Sequence, residues 1–205
     1  MEILNVMPLF PKTAVVGNLS EVDNDYLIKN IEEKFKDKKY YKEYDKFYSS
    51  DPNLHLEEEY KNFCETILNF TKVMCSDIFC YVDLEPKITL MWATGTLPGT
   101  TIHRHYHPNS FFSGVYYPQN IEYSSIRFKN PHNPTIFPRF SNHNLYNCTS
   151  MEYTPEQGSV IIFPSDLEHD VLPNVSDQMR ISIAFNIFFS GKFGLEDSLS
   201  YLEMT

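Results

Sequence analysis

Three of the seven histidines in this 205-residue chain, His103, His105 and His107, fall at alternate positions of one short segment. Alternate residues of a β-strand face the same side, so all three can look into one cavity. Neutral imidazole is the commonest transition-metal ligand, and a pair from one strand asks for a further ligand from elsewhere. Pro155-Glu-Gln-Gly-Ser-Val-Ile-Ile-Phe-Pro-Ser-Asp-Leu-Glu-His169 supplies it. Gly158 permits a tight turn, Ser159–Phe163 reads as a buried strand, Pro164 ends it, and His169 opens the next strand.

A histidine that starts one strand beside a His-x-His strand can complete three ligands on one face of an octahedral ion. Three positions then stay open for exogenous ligands. Asp166 and Glu168 are alternative oxygen donors, although their place on the turn suits solvent better. Eleven residues after His169, Arg180 begins the strand Arg-Ile-Ser-Ile-Ala-Phe-Asn. Arg180, Ser182, Ala184 and Asn186 share one face of it, while Ile181, Ile183, Phe185 and Ile187 share the other. An arginine at the head of so apolar a strand is costly unless an anion pairs with it; a plain surface arginine is the competing reading.

The elements that must position these groups change character along the chain. Residues 1–19 read as an extended lead-in around Pro8 and Pro11. Ser20 is a candidate cap for a helix over about Glu21–Lys36, with Leu27, Ile31 and Phe35 at helical spacing. A charged, aromatic connection from Lys36 to Tyr44 suits the surface. From Leu56, the residues Tyr60, Phe63, Cys64, Ile67, Leu68 and Met74 form the apolar face of a second helix. After Pro86 the period becomes two, with Ile88, Leu90 and Trp92 alternating with Thr89, Met91 and Ala93. Further strands are expected at Thr101–His107, Phe111–Tyr117, Ser125–Phe128, Ser159–Phe163, His169–Leu172 and Arg180–Phe189. Many short strands between Gly, Pro and Asn turns indicate a β-sandwich or barrel, with the two helices against its outer face. The Asn- and Pro-rich stretch 130–157 reads as a long loop over the cavity mouth. The whole of 1–205 is read as one domain, with an N-terminal helical portion at 1–86 and a β core at 87–190.

Composition narrows the partners. Seventeen basic against 27 acidic residues give a net charge of −10, which disfavours a nucleic-acid backbone or an anionic membrane surface. The N-terminus has no cationic segment followed by an apolar run, and no window approaches the ~18 apolar residues of a membrane span. A cytoplasmic location is expected. Cys64, Cys75, Cys80 and Cys148 form no CxxC pair and read as buried thiols.

Two spacings resemble the metal motifs of the cupin superfamily, Gly99 before His105-Tyr-His107 and Gly158-x5-Pro164-x4-His169. The glutamate that cupins carry after His-x-His is missing, since Phe111 and Phe112 stand there. A longer ordered set covers residues 92–186: Trp92, His105-x-His107, Asn109-Ser-Phe-Phe-Ser-Gly-Val-Tyr-Tyr117, Phe128-x-x-Pro131, Gly158-x4-Phe-Pro-Ser165, His169-x-Val171 and Arg180-Ile-Ser-Ile-Ala-Phe-Asn186. It resembles the iron(II)- and 2-oxoglutarate-dependent oxygenases, and most closely a type found in marine bacteria and their phages.

The resemblance implies a mainly β (α+β) fold, a double-stranded β-helix (jelly roll) with two N-terminal helices packed on its outer face. It implies Fe(II) and 2-oxoglutarate as cofactors, and hydroxylation of a small-molecule or peptidyl substrate coupled to decarboxylation of 2-oxoglutarate. It selects His105, His107 and His169 as metal ligands, and Arg180, Ser182 and Tyr117 as the residues that bind 2-oxoglutarate. His103, Trp92, Asn109 and Asn186 are then expected beside the ligands rather than on the ion. His107 departs from the pattern, because most of the superfamily has Asp or Glu there. Two other readings stay open: a cupin-like three-histidine enzyme without 2-oxoglutarate, and a non-catalytic jelly-roll module.

Overall fold

The computed structural model of the protein describes residues 2, 5, 10–36, 41–44, 47–119, 125–132, 136 and 138–205. The lead-in around Pro8, the connection at 37–40 and parts of the long loop (133–135 and 137) lie outside the described residues.

The chain order is β1 (Val15–Asn18), α1 (Asn24–Lys36), β2 (Tyr41–Tyr44), β3 (Phe47–Ser50), α2 (Lys61–Asp77), β4 (Leu84–Thr96) and β5 (Ile102–His105). There follow β6 (Phe112–Tyr117), β7 (Ile126–Lys129), β8 (Ser150–Tyr153), β9 (Ser159–Pro164), β10 (His169–Val171), β11 (Arg180–Phe193) and β12 (Leu202–Met204). An eight-stranded sheet runs β1-β9-β6-β11-β4-β3-β2 with β12 also on β11, and a four-stranded sheet runs β5-β10-β7-β8. This two-sheet arrangement with two helices is the expected jelly roll.

The larger sheet buries both faces, each for a different purpose. On one face Ile181, Ile183, Phe185 and Ile187 of β11 pack with Phe112 and Tyr116 of β6 against Leu27 and Ile31 of α1 and Phe63 and Ile67 of α2. Each such fully buried side chain is worth about 1.5–3 kcal/mol, so the helices are held by the sheet rather than by their own propensity. The opposite face meets the smaller sheet through a separate cluster formed by Tyr117, Ile126, Phe128, Ile161, Phe163 and Leu167. Arg180, Ser182 and Asn186 are buried and share the parity that faces this second space.

Several local expectations need correction. α1 starts at Asn24, because Asp23 rather than Ser20 caps it by accepting the Tyr26 N–H at 3.0 Å. α2 starts only at Lys61, after two 3-10 turns at Leu54–Leu56 and Glu58–Tyr60. The tighter turn, three residues rather than 3.6, rotates Leu56 out to solvent and puts Leu54 in the core instead.

In β4 the strict alternation fails at Thr89. Asn186 pairs with Leu90 while Ile187 pairs with Ile88, so Thr89 is an extra bulged residue. Ile88 before the bulge and Met91 and Ala93 after it therefore all reach the helix-side core, and Trp92 turns to the other side. The stretch 130–157 is not all loop, since β8 closes a hairpin with β7. Of the four cysteines only Cys64 and Cys75 are buried; Cys80 is exposed and Cys148 half-buried.

Gly191, where β11 leaves β4, has φ +120, and a Cβ there would overlap the Asp83 carbonyl oxygen. Backbone cannot retreat as a side-chain tip can. Gly191→Ala is expected to cost about 2–4 kcal/mol in urea denaturation, with the slope of the transition unchanged.

Candidate active site

His105 and His169 are cross-strand partners in the antiparallel pair β5 and β10. Their ring centroids lie 4.3 Å apart. His107 comes two residues after β5 ends and is carried back over the pair by its N–H, which donates to the Ser165 carbonyl at 2.9 Å. Its ring is then 5.1 Å from His105 and 5.2 Å from His169. One ring nitrogen from each of the three lies within 4.8 Å of the others, a spacing that one metal ion can bridge. Trp92 borders His107 at 5.6 Å, and Phe163 borders His169 at 4.8 Å.

The ring nitrogens are already sorted. Nδ1 of His105 lies 2.7 Å from the His103 carbonyl, and Nδ1 of His169 lies 2.9 Å from the Leu167 carbonyl. A carbonyl can only accept, so both Nδ1 atoms carry the proton and each neutral ring keeps its lone pair on Nε2. Burial, reinforced by His169 and His105, holds His107 down at about 3. Burial holds His169 down at about 4, against a raising contribution from the Leu167 carbonyl. Neutral imidazoles at pH 7 are the form that a cation needs, so the donor set fits iron(II).

The same shifts set an acid limit on the metal-free protein. Below the unfolded pKa of about 6.5 the unfolded chain binds protons that these two folded rings refuse. Stability should therefore be level above pH 6.5 and fall as pH drops towards 4, by up to about 1.4 kcal/mol per pH unit for each histidine. Urea melts between pH 7.5 and 5 test this, and His169→Gln should flatten the slope.

Arg180 is 4% exposed, and its Nη2 donates to Thr96 Oγ1 at 3.3 Å. Tyr117 is also buried; burial pushes its phenol well above the usual range, partly opposed by the Arg180 charge, so it stays a donor at neutral pH. Ser182 lies on the same inward row. The loop before Arg180 is braced by buried Asn174, whose Nδ2 donates to the carbonyls of Thr96 and Gln178.

Other predicted residues fall around this centre. His103 is exposed, and its contact with the triad is through its backbone carbonyl. Asn109 is exposed at φ 59 and serves the turn that follows Pro108, a conformation Asn tolerates. Asp166 and Glu168 point outwards, Asp166 to Lys12 at 2.6 Å and Glu168 to Arg104 at 3.6 Å. Neither joins the histidine cluster. On the outer face of the smaller sheet Asp170 is held below its usual range. Burial alone would raise it, but hydrogen bonds from Arg127 at 2.8 and 2.9 Å and nearby Lys129 and Arg104 outweigh that.

Thr96, Asn174, Ser113 and Ser165 join the site without being singled out by the sequence. Thr96 had a signal, since it shares the parity of Trp92 on β4; the serines had none beyond their place in two motifs.

Residues 90–186 match a family model described as "Putative 2OG-Fe(II) oxygenase". No curated protein matches the chain in sequence. Among solved structures, the chain is similar to an oxidoreductase of the 2OG-Fe(II) oxygenase family from Burkholderia pseudomallei, at 14% identity over 85% of this chain and 83% of that one, TM-score 0.60. It is also similar to SnoN, the non-haem α-ketoglutarate-dependent epimerase of nogalamycin biosynthesis, at 7% identity over 92% and 83%, TM-score 0.63. A Pseudomonas putida prolyl-4-hydroxylase is similar at 11% identity over 85% and 92%, TM-score 0.56. At such identities the likeness is one of fold. The matched segment contains Trp92, the three histidines, Tyr117 and Arg180, and iron(II) and 2-oxoglutarate are the family's cofactors. Residues 90–186, which carry the whole of this site, are thus the segment that is similar to the 2OG-Fe(II) oxygenase family.

Proposed function

We propose that the chain is a hydroxylase in which His105, His107 and His169 hold iron(II), and Arg180, with Tyr117 and Ser182, binds the distal carboxylate of 2-oxoglutarate. The observation that carries this reading is a triad of imidazoles within 4.8 Å of one another, beside the sheet face that carries a buried guanidinium. Arg180 is four residues, about 13 Å of strand, from Ala184, whose β4 partner Trp92 borders His107. An arginine side chain and a five-carbon dicarboxylate together suit that gap.

When bound, iron(II) with 2-oxoglutarate supplies the oxidising power, through oxidative decarboxylation to succinate and carbon dioxide with dioxygen. The chain's own part is placement and charge. Arg180 offers the planar fork that a carboxylate matches, in a space with little water to compete. Tyr117 adds a neutral donor beside it. The triad contributes no negative charge, and with the distal carboxylate paired to Arg180 only the other carboxylate of 2-oxoglutarate is left for the metal, so one positive charge stays uncompensated where most of the superfamily has a protein carboxylate.

The 130–157 stretch leaves β7 at the end where His105 and His169 face each other, and the Lys129 N–H donates to the Glu168 carbonyl at 2.9 Å. We place the substrate under this stretch, within a single domain. A small-molecule or peptidyl substrate agrees with the similar structures of a nogalamycin-biosynthesis epimerase and a prolyl-4-hydroxylase. Acidity argues against nucleic acid, and no described helix is long and apolar enough to cross a membrane. Free cysteines and iron(II) chemistry suit the reducing cytoplasm.

The triad also suits a three-histidine enzyme that does without 2-oxoglutarate. Succinate separates the two: the oxygenase forms it from 2-oxoglutarate in an iron- and dioxygen-dependent way, even slowly without substrate. An iron-loaded protein that never forms succinate contradicts the proposal.

A further inference from the structure

Asn186 ends the inward row of β11 directly opposite Ser113 of β6. On the far side of β6 lies β9, whose last residue Pro164 pairs with Phe112, so Ser165 is the first residue beyond the sheet. Ser113 Oγ donates to Asn186 Oδ1 at 2.9 Å, and with its single proton so used it accepts from Ser165 Oγ at 2.8 Å. All three side chains are buried, which leaves little room for water to replace a lost partner.

Ser165 is where this polar row meets the metal ligands. Its carbonyl accepts the His107 N–H at 2.9 Å, and its own N–H donates to the Phe111 carbonyl at 3.2 Å. His107 has left β5, so no ladder fixes its backbone; its N–H is held by Ser165 instead. The same serine starts the turn that ends at His169. The other end of the row is fastened at the β4 bulge, where Thr89 Oγ1 donates to the Asn186 carbonyl at 3.3 Å. Apolar residues of similar volume would fill this interior without any requirement for partners, so the polar row serves position more than stability.

We propose that Asn186, acting through Ser113 and Ser165, is a positioning residue for His107. This rests on His107 being a metal ligand, as proposed above. The hydroxyl chain sets the Ser165 carbonyl, the carbonyl sets the His107 backbone, and His107 thereby meets the ion in register with the strand-borne pair.

The test is anaerobic cobalt(II) titration of the full chain, followed by absorption without turnover, in wild type, Ser113→Ala, His107→Ala and the double variant. Ser113→Ala is expected to weaken cobalt(II) binding about tenfold. In the His107→Ala background the same change should matter by no more than about twofold, since the ligand it positions is gone. A folded Ser113→Ala with wild-type affinity overturns the proposal, as does equal weakening in both backgrounds. If Ser113→Ala does not fold, Asn186→Ala is read in the same cycle with the same criteria. Should His107→Ala bind like wild type, the ligand reading of His107 fails and this role with it. Loss of the Ser113 effect alone leaves the ligand reading intact.

Discussion

Replacing His169 with alanine is expected to weaken iron(II) binding by about a hundredfold and to abolish turnover. Four-ligand structural metal sites carry about 10–16 kcal/mol, so one ligand is worth on the order of 3 kcal/mol, or two powers of ten. His169 is the most buried of the triad, its Nδ1 is fixed on the Leu167 carbonyl, and its ring packs on Phe163. No described carboxylate stands ready to replace it, because Asp166 and Glu168 are turned outwards to Lys12 and Arg104. Metal titration by calorimetry checks the expectation. His169→Ala should also be less acid-sensitive than wild type in its metal-free form, which separates loss of a ligand from loss of the fold.

The second large effect is expected at Arg180. Truncating one partner of a buried charge pair costs about 2–5 kcal/mol, so Arg180→Ala should weaken 2-oxoglutarate by about 30-fold or more while iron(II) affinity stays near wild type. Arg180→Lys should recover only part of this, because an ammonium cannot match the two-pronged carboxylate contact and the Thr96 contact together. Binding of 2-oxoglutarate to the metal-loaded protein, measured by calorimetry, distinguishes the two variants. A parallel loss of iron(II) would mean that Arg180 serves the fold instead.

Much of this layout is legible in the sequence. Strands were expected to start at Ser159, His169 and Arg180, and they do. β9 is a short apolar run between Gly158 and the turn after Pro164, β10 follows that turn directly, and β11 shows alternation from Arg180 onwards. The expected faces of β11 also hold, with Ile181, Ile183 and Phe185 in the helix-side core.

The remaining features depend on partners rather than on local pattern. The Thr89 bulge is a mismatch of register between β4 and β11, and nothing in Thr-Leu-Met-Trp announces it. Its effect is to put Trp92 on the side of the histidines. β8 is four residues, Ser-Met-Glu-Tyr, inside an Asn- and Pro-rich stretch, and it exists because β7 offers an edge. Leu56 had the right spacing for the core but sits on a 3-10 turn. The row Asn186-Ser113-Ser165 joins residues 73 and 52 positions apart, so only the strand order β11-β6-β9 brings them into line.

The central claim is that three histidines and one buried arginine assemble an iron(II)·2-oxoglutarate site. Anaerobic addition of iron(II) and then 2-oxoglutarate to the metal-free protein measures it most directly, through the visible charge-transfer absorption of the chelated oxo acid. The site described here predicts that the band appears in wild type, disappears in His169→Ala, and needs a much higher 2-oxoglutarate concentration in Arg180→Ala. A protein that binds iron(II) tightly yet develops no such band at saturating 2-oxoglutarate would contradict it.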